Sequence, residues 1–396
     1  MRYIGCAEQG HTADAPKARA AEKCVGHLNM TLRPQETIQK ALISTTSRFV
    51  GEYENQGVLL AHAWPDFYDR SAIVRWSKGP ASRSALVFAF ETAAVDKKPG
   101  SVMPEYSPMG ELICSYLAVL FGKRFDSHGL IEGSGLFHVP DLTQFADLSD
   151  HHLPQNSHAP RIDFAVPLNL TEVYRIERIL FDSSIDRKFL RTFQGASKFY
   201  LQAIQIAEHD AEVAYLHLIT AGEILSHFHE YDKKQLLDDQ TNEILARIQK
   251  SLPDGTKIAN YISDRLLYVK RRFVETIVQL VDQEFFQRSE ASQPFAGFKA
   301  DSFRASVSAA YDLRSRYVHT GIPFGKWVSL KLGGMNNEVP VGFPVVEDKE
   351  LGKILAKAPT YIGLERVIRY CLLQFAKVNG AYFDPAVGPG ASPDPE

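Results

Sequence analysis

Long apolar periods of helical spacing dominate the second half of the sequence, and they limit the possible folds more than any other feature. The clearest run has intervals of four, three, four and four residues: Phe189, Phe193, Ala196, Tyr200 and Ile204. Such spacing puts all five on one face of an α-helix that begins near Arg187. Further helices are predicted after Asp210 to about His229, and at about 240–251, 256–287, 302–319 and 359–378. Long helices joined by short loops favour a helical bundle, with 321–357 as a loop excursion that has at most a short hairpin.

The first half carries a different pattern, in which short apolar runs alternate with helical stretches. Strands rich in β-branched and aromatic residues are predicted near 57–64, 72–76, 85–91 and 135–140. A helix is predicted from Ser107, with Pro108 at its first helical position, to about Gly122. The sequence therefore predicts a mixed domain, α/β or α+β in topology, followed by an all-α bundle, which makes an α+β fold overall.

The change of pattern places a domain boundary in the DSSIDR segment at 182–187. The mixed α/β domain is assigned to residues 31–185 and the helical domain to residues 186–383. Residues 1–30 lack a sustained apolar period and are interpreted as a loose leader, with Met30 as an alternative start. The Pro- and Gly-rich acidic stretch 384–396 is predicted to be a disordered tail.

Composition narrows the class of protein. With 45% hydrophobic and 23% charged residues, the chain has the balance of an ordinary globular protein. A net charge of -3 gives no overall attraction for nucleic acid, so RNA binding would need a local basic patch. Four widely spaced cysteines suggest reduced thiols rather than zinc ligands. With no signal-peptide run and no membrane span in the sequence, a soluble cytoplasmic protein is predicted.

A charged residue interrupts the apolar side of the helix predicted over 302–319. That side, at about 100° per residue, consists of Phe303, Val307, Ala310, Arg314 and Val318. Because burying an unpaired guanidinium costs several kcal/mol, Arg314 needs a partner. Glu223 shares a face of the second helix with Leu216 and Ile219, and an ion pair with Arg314 is predicted. Since Glu212 falls on the same side, a partly solvated Glu223 is the alternative.

His319 lies in the last turn of the same helix, which Asp301 or Ser302 is predicted to cap and Gly321 to end. The negative end of the helix dipole favours the imidazolium form, which suits general acid–base work. Five residues separate it from Arg314, about 140° around an ideal helix. Arg314 and His319 can therefore act in one site only if the helix end is distorted or if a second subunit supplies one of them. A purely structural explanation is also open: Arg314 would anchor the helix through its ion pair, and His319 would cap the helix end.

Two long helices with an inward Glu223, followed by a late helix that ends in YDLRSRYVHTG, resemble the HEPN superfamily and especially its Apea-like branch. The resemblance covers roughly residues 187–380, and its specific part is LRSRYVHTG. The ALVFAFE and GELICSYLAVLFGKRFDSHGLIEGSGLFHVPD stretches are similar to a domain often found before such modules in uncharacterised bacterial proteins. That domain has no function that could be transferred to residues 31–185, where an unknown trigger or ligand is conceivable.

The resemblance implies a helical homodimer that, in active members, cleaves RNA without a metal or other cofactor. Arg314 would hold the scissile phosphate, His319 would serve as acid or base, and Glu223 would orient the arginine. Ser315 stands where active members commonly have Asn, Asp or His. The implied function is that of an endoribonuclease in bacterial antiviral defence or stress response. The alternatives are a non-catalytic module that binds RNA or protein, and a ligand sensor whose helical half only dimerises.

Supporting residues can be named on both helices. Arg316 and Tyr317 would contribute phosphate or base contacts near the dimer interface, or would be a solvated arginine and a packing tyrosine. Lys270, Arg271 and Arg272 form the densest basic cluster of the helical half. They could follow an RNA backbone, although a solvated helix face explains them as well.

One segment of the first half also combines charges with a histidine. The KRFDSHG stretch at 123–129 directly follows the predicted helix end. It is interpreted as either a ligand or nucleic-acid site or a structural turn.

Overall fold

The computed structural model describes residues 37–63, 83–93, 100, 102, 104–231, 237, 239–266, 269–328 and 336–383. The predicted leader 1–30, the predicted tail 384–396 and the strand predicted near 72–76 lie outside this part of the chain. Within it, a six-stranded antiparallel sheet precedes a succession of helices, which confirms the α+β fold.

The sheet has the order β2-β3-β4-β1-β5-β6. Its strands are β1 (Ile38–Thr45), β2 (Tyr53–Asn55), β3 (Val58–His62), β4 (Ser84–Glu91), β5 (Phe125–Gly133) and β6 (Leu136–Phe137). β3 and β4 confirm two of the predicted strands, whereas the run predicted over 135–140 is reduced to the two residues of β6. The long central strands β1 and β5 were not predicted. Both edge strands are short, with three residues in β2 and two in β6.

One face of the sheet is apolar and carries the first helix. Ala41 pairs with Phe88 and Ile43 with Leu86 across β1 and β4, and all four are buried. α1 (Ser107–Phe121) lies on this face. It begins at Ser107 and ends at Gly122 as predicted, with Pro108 as its second residue instead of its first. Gly122 adopts a left-handed conformation with φ of 64°, and its N–H donates to the carbonyl of Ala118.

The helical half follows the predicted order with local corrections. Its helices are α2 (Glu177–Phe181), α3 (Arg187–Ile206), α4 (Ala211–Ser226), α5 (Asp239–Ser251), α6 (Gly255–Leu266), α7 (Val269–Leu280), α8 (Gln283–Gln287), α9 (Ala300–Thr320), α10 (Lys349–Leu355) and α11 (Tyr361–Val378). The single helix predicted over 256–287 is wrong. Asp282 leaves the helix after α7 and caps α8 by accepting hydrogen bonds from the backbone N–H groups of Glu284 and Phe285. α10 lies inside the segment 321–357 that was predicted to be a loop.

The start of α9 also differs from the prediction. Neither Asp301 nor Ser302 caps it, because the helix already begins at Ala300 after an extended Lys299 that makes no side-chain cap. Its end is as predicted, with Gly321 at φ of 68° and its N–H donating to the Tyr317 carbonyl. In the described part of the chain, no helix has both the length and the apolar character needed to cross a membrane.

The sheet and most of the helices share one hydrophobic core, which runs from Ala41 to Tyr382, whereas α5 and α6 pack through a separate small cluster of Leu237, Leu245 and Ala259. The boundary predicted at 182–187 falls between α2 and α3, and the division into two domains stays a prediction. A network of buried charges also crosses this boundary. Arg161, in the loop after β6, pairs with Glu365 of α11 (Nη2–Oε2 2.7 Å) and with Glu290 (Nε–Oε1 2.6 Å).

Two arginines of α11, Arg366 and Arg369, extend this network. Arg369 donates to the carbonyl oxygens of Val119 and Leu120 at the end of α1, at 3.0 and 2.8 Å. Arg366 pairs with the buried carboxylate of Glu338 at 3.0 Å. Burial acts to raise the pKa of Glu290, but the adjoining Arg161 outweighs it and holds that pKa below its ordinary value. Glu290 is therefore ionised, and each of the three buried arginines has a carboxylate beside it.

Replacing Arg161 by methionine should lower the free energy of unfolding by about 3–5 kcal/mol, because Glu365 and Glu290 would keep buried charges without their partner. Urea denaturation followed by circular dichroism measures this change. Lys353→Met is the matched control, since its ion pair with Glu350 is exposed on both sides and its loss should leave the urea midpoint unchanged. A wild-type midpoint for Arg161→Met would contradict the role given to the network.

Candidate functional site

Glu223 of α4 and Arg314 of α9 form the ion pair that the sequence predicts. The Nη2 of Arg314 lies 3.3 Å from the Oε2 of Glu223, and the side chains are 27% and 13% exposed. The hydroxyl of Tyr311 donates to the other carboxylate oxygen, Oε1, at 2.8 Å. Glu212, the other acidic residue on that side of α4, instead accepts a hydrogen bond from the backbone N–H of Gly325. Glu223 is thus held from two sides by α9.

This arrangement anchors the guanidinium without enclosing it. Arg314 lies over the ring of Tyr311, with 5.6 Å between Cζ and the ring centroid. Its remaining N–H groups make no hydrogen bond within the described part of the chain. Burial, followed by the hydrogen bond to Glu223, raises the pKa of Tyr311 to about 12, so its phenol remains a donor at neutral pH. An arginine in this setting can bind an anion with its free edge.

A close helix contact sets the position of Glu223. The preceding residue, Gly222, faces α7, and a Cβ at this position would overlap the ring of Phe273 and approach Cδ1 of Ile368 to 3.2 Å. The ring of Phe273 packs in turn against Tyr311, with 5.5 Å between centroids. The small residue therefore lets α4 approach α7 and α11 closely enough for Glu223 to reach α9.

His319 lies apart from this cluster. It is exposed in the last turn of α9, and no hydrogen bond or ion pair links its ring to Arg314, Glu223 or any other described residue. Val318, predicted on the buried side of the helix, is 53% exposed, so that prediction is wrong. Leu313 is the last buried residue of α9, and Val318 and His319 in its final turn are exposed. Within one chain, the structure shows an anchored arginine and an open histidine but no joined site.

The supporting residues have mixed surroundings. Arg316 pairs with Asp348, the residue that caps α10, and Tyr317 packs against Phe324 with 5.2 Å between centroids. Ser315 is partly buried and makes no side-chain hydrogen bond in the described part of the chain. Arg316 and Tyr317 thus hold neighbouring segments against the end of α9.

The basic cluster on α7 is not a row of three free cations. Lys270 pairs with Asp312 of α9, with 2.7 Å between Nζ and Oδ1. Arg271 and Arg272 are partly buried on the same helix. The cluster therefore contributes to the packing of α7 on α9, and α9 already neutralises one of its charges.

The KRFDSHG segment proves to be the start of β5, and its charges lie inside the protein. Asp126 pairs with both Arg83 and Arg124. The ring of His128 lies between the hydroxyl of Ser44 (Nε2–Oγ 2.8 Å) and the carbonyl of Asp141 (Nδ1–O 2.7 Å). All five side chains are buried on the sheet face opposite α1. The sequence did not reveal this buried layer because its alternating polar residues hide the strand pattern.

Lys123, just before this layer, is buried as well. Its ammonium group donates to the carbonyl of Pro154 at 2.6 Å and to the hydroxyl of Ser157 at 2.8 Å. Burial lowers the pKa of Lys123 well below its ordinary value. The two basic side chains at the start of the segment are thus buried and are not presented to a ligand at the surface.

Among the described residues, no three His, Cys, Asp or Glu side chains are grouped so that they could hold a metal ion. Models of protein families, curated proteins and solved structures gave no match to this chain. The site therefore has to be interpreted from its own geometry.

The role of Gly222 can be tested with a second helical glycine as control. Gly222→Ala should destabilise the protein by about 1–3 kcal/mol, because the added methyl group overlaps Phe273. Gly195→Ala in α3 should stabilise it by about 0.5–1 kcal/mol, since its Cβ would meet only Ile224 at 3.6 Å and alanine favours helix. Thermal unfolding of both variants provides the comparison. Equal shifts of the two melting temperatures would contradict the proposed close contact.

Proposed function

We propose that this chain is a HEPN-type endoribonuclease that cleaves RNA without a metal ion, through Arg314 and His319 at a dimer interface. The observation that carries the proposal is the Glu223–Arg314 pair, in which one end of the guanidinium is fixed and the other is free. The exposed His319 in the last turn of the same helix adds an acid–base group. A role in antiviral defence or stress response, under the control of the first half of the chain, is part of this proposal.

The chemistry requires few groups. A ribose 2'-hydroxyl attacks the adjacent phosphorus while the bond to the 5'-oxygen breaks, which leaves a 2',3'-cyclic phosphate and a 5'-hydroxyl. A base removes the proton of the 2'-hydroxyl, and an acid protonates the 5'-oxygen. The free N–H groups of Arg314 would stabilise the negative charge that develops on the phosphate oxygens. Glu223 would keep the guanidinium in the required orientation.

A second copy of the chain would complete the site, because each copy supplies one histidine and the reaction needs both an acid and a base. Exposed apolar side chains of α9 and of the segment before Asp348 are available for such an interface. Asp348, which pairs with Arg316, ends a segment in which Phe343 and Val345 are 87% and 100% exposed. Val318 and Ile322 add exposed apolar area at the end of α9. These side chains would be buried between two subunits.

The interface can be tested by charge introduction. Phe343→Glu combined with Val345→Glu should weaken dimerisation at least tenfold, because buried Phe and Val side chains each contribute about 1.5–3 kcal/mol. Sedimentation velocity over a concentration series measures the association. Val378→Glu, at an exposed valine of α11 away from this segment, is the control and should sediment like wild type. A monomeric wild-type protein would contradict the dimer.

Cleavage is tested with purified protein, labelled single-stranded RNA and EDTA, on denaturing gels. Arg314→Ala should reduce the rate roughly 10²–10³-fold by removing charge stabilisation, and His319→Ala roughly 10²–10⁴-fold by removing the acid–base group. Lys353→Ala, exposed on α10, should cleave like wild type. Melting temperatures verify that each variant is folded. Cleavage that persists in both site variants would contradict the proposal.

A non-catalytic module that binds RNA or protein is the second candidate. Two observations favour it: Ser315 occupies the position after the arginine, and His319 makes no contact with Arg314 within one chain. In this case, wild type would retard RNA in a gel shift without cutting it. Arg314→Ala would then weaken binding, whereas His319→Ala would leave the RNA intact as wild type does.

A further inference from the structure

A second concave site lies between α1 and α3, and it shares no residue with the Glu223–Arg314 pair. It is a cleft of about 260 Å³ with Ser127 of β5 at its base. Glu111 and Ser115 line the α1 side, and Lys198, Gln202 and Gln205 line the α3 side. Pockets for drug-sized ligands measure about 300–1,000 Å³. Because this cleft is slightly smaller, its volume suits a single sugar ring or one nucleoside.

A polar stripe of α3 forms one wall of the cleft. Gln194, Lys198, Gln202 and Gln205 follow one another at intervals of four, four and three residues, so they share one side of the helix. This stripe lies beside the apolar stripe of α3 that packs into the core. A helix that is packed against α1 thus presents three carboxamides to a concave space.

Several hydrogen-bonding groups in the cleft have no partner. Gln205 donates from Nε2 to the Phe125 carbonyl at 2.9 Å, and Ser115 donates to the Leu112 carbonyl at 2.7 Å, so both keep an oxygen free to accept. Gln202 and Ser127, both partly buried, make no side-chain hydrogen bond in the described part of the chain. A carboxamide and a hydroxyl each donate and accept. The cleft therefore offers donors and acceptors together.

Charge in the cleft is balanced. Glu111 and Lys198 are its charged lining residues, and no ion pair joins them. One carboxylate and one ammonium give no net preference for an anion or a cation. Leu112 and Leu201 add apolar surface beside the polar groups. This combination suits the hydroxyl groups and the C–H face of a sugar ring.

We propose that this cleft binds an uncharged polyhydroxylated small molecule, either a free monosaccharide or the ribose of a nucleoside. Glu111 accepts hydrogen bonds from neighbouring hydroxyls, as acidic residues do with ribose in dinucleotide sites. Gln202 and Ser127 donate to and accept from the same ring. The inference does not depend on the proposed endoribonuclease activity.

Another cavity, of about 270 Å³ beside Phe164, has polar groups that are already bonded. There Arg288 pairs with Glu284, Arg175 with Glu172 at 2.6 Å, and Tyr370 donates to Asp282 at 2.7 Å. These polar side chains are engaged with other protein groups, whereas Gln202 and Ser127 of the α1–α3 cleft are available to a ligand.

The test uses the full chain in isothermal titration calorimetry and saturation-transfer NMR, with glucose, galactose, ribose, adenosine and uridine as probes at millimolar concentration. At least one probe should bind, and Gln202→Leu should weaken it about tenfold, because the ligand group would lose its partner. Gln287→Leu, at an exposed glutamine of α8 outside the cleft, should bind like wild type. Binding of hexoses alone would identify a free sugar as the source, and binding of nucleosides would identify ribose.

Two outcomes would overturn the proposal. One is that none of the five probes binds, and the other is that binding survives Gln202→Leu unchanged. If Gln202→Leu does not fold by circular dichroism, Ser127→Ala replaces it, since loss of the hydroxyl at the base should weaken binding in the same way. Wild-type affinity in a folded Ser127→Ala variant would likewise contradict the inference.

Discussion

The two-part pairing of Arg161 with Glu365 and Glu290 is the interaction on which the rest of the structure depends. Buried charges are tolerated only with well-placed partners, so this network accepts little variation in how α11 meets the loop after β6. Arg369 extends the constraint to the end of α1. Because Ile368 of α11 also lies against Gly222, the position of α4 follows from that of α11. The buried charges of the core thereby contribute to where Glu223 lies.

The two kinds of charged pair in this protein differ in what surrounds them. In the core network, the partners of Arg161 and Arg369 occupy their guanidinium groups on several sides. At the end of α9, Arg314 has one carboxylate contact and is 27% exposed. The first arrangement holds elements in place, whereas the second leaves binding capacity at the surface. That contrast supports a functional interpretation of Arg314 more than the sequence motif does by itself.

The sequence could predict what periodicity and caps determine. The apolar face of α3, the Ser107 start and Gly122 end of α1, and the left-handed Gly321 all follow from local rules and are present. The Glu223–Arg314 pair was also accessible, because two opposite charges stood at apolar positions. The break at Asp282 had a local signal, its cap on the N–H groups of Glu284 and Phe285, which the long helical period concealed. The buried layer around Asp126 was not accessible, since it depends on partners distant in sequence. The same holds for the α1–α3 cleft, whose lining residues are ordinary polar positions until the fold brings them together.

The shortness of β2 and β6 has a consequence for how copies of this chain can associate. An exposed sheet edge recruits further strands through its free backbone groups, and natural proteins limit this by keeping edge strands short. With three residues at one edge and two at the other, the sheet offers little template for continued strand addition. Addition of further copies strand by strand is therefore disfavoured. Association into a defined number of copies would instead use side-chain surfaces such as the end of α9.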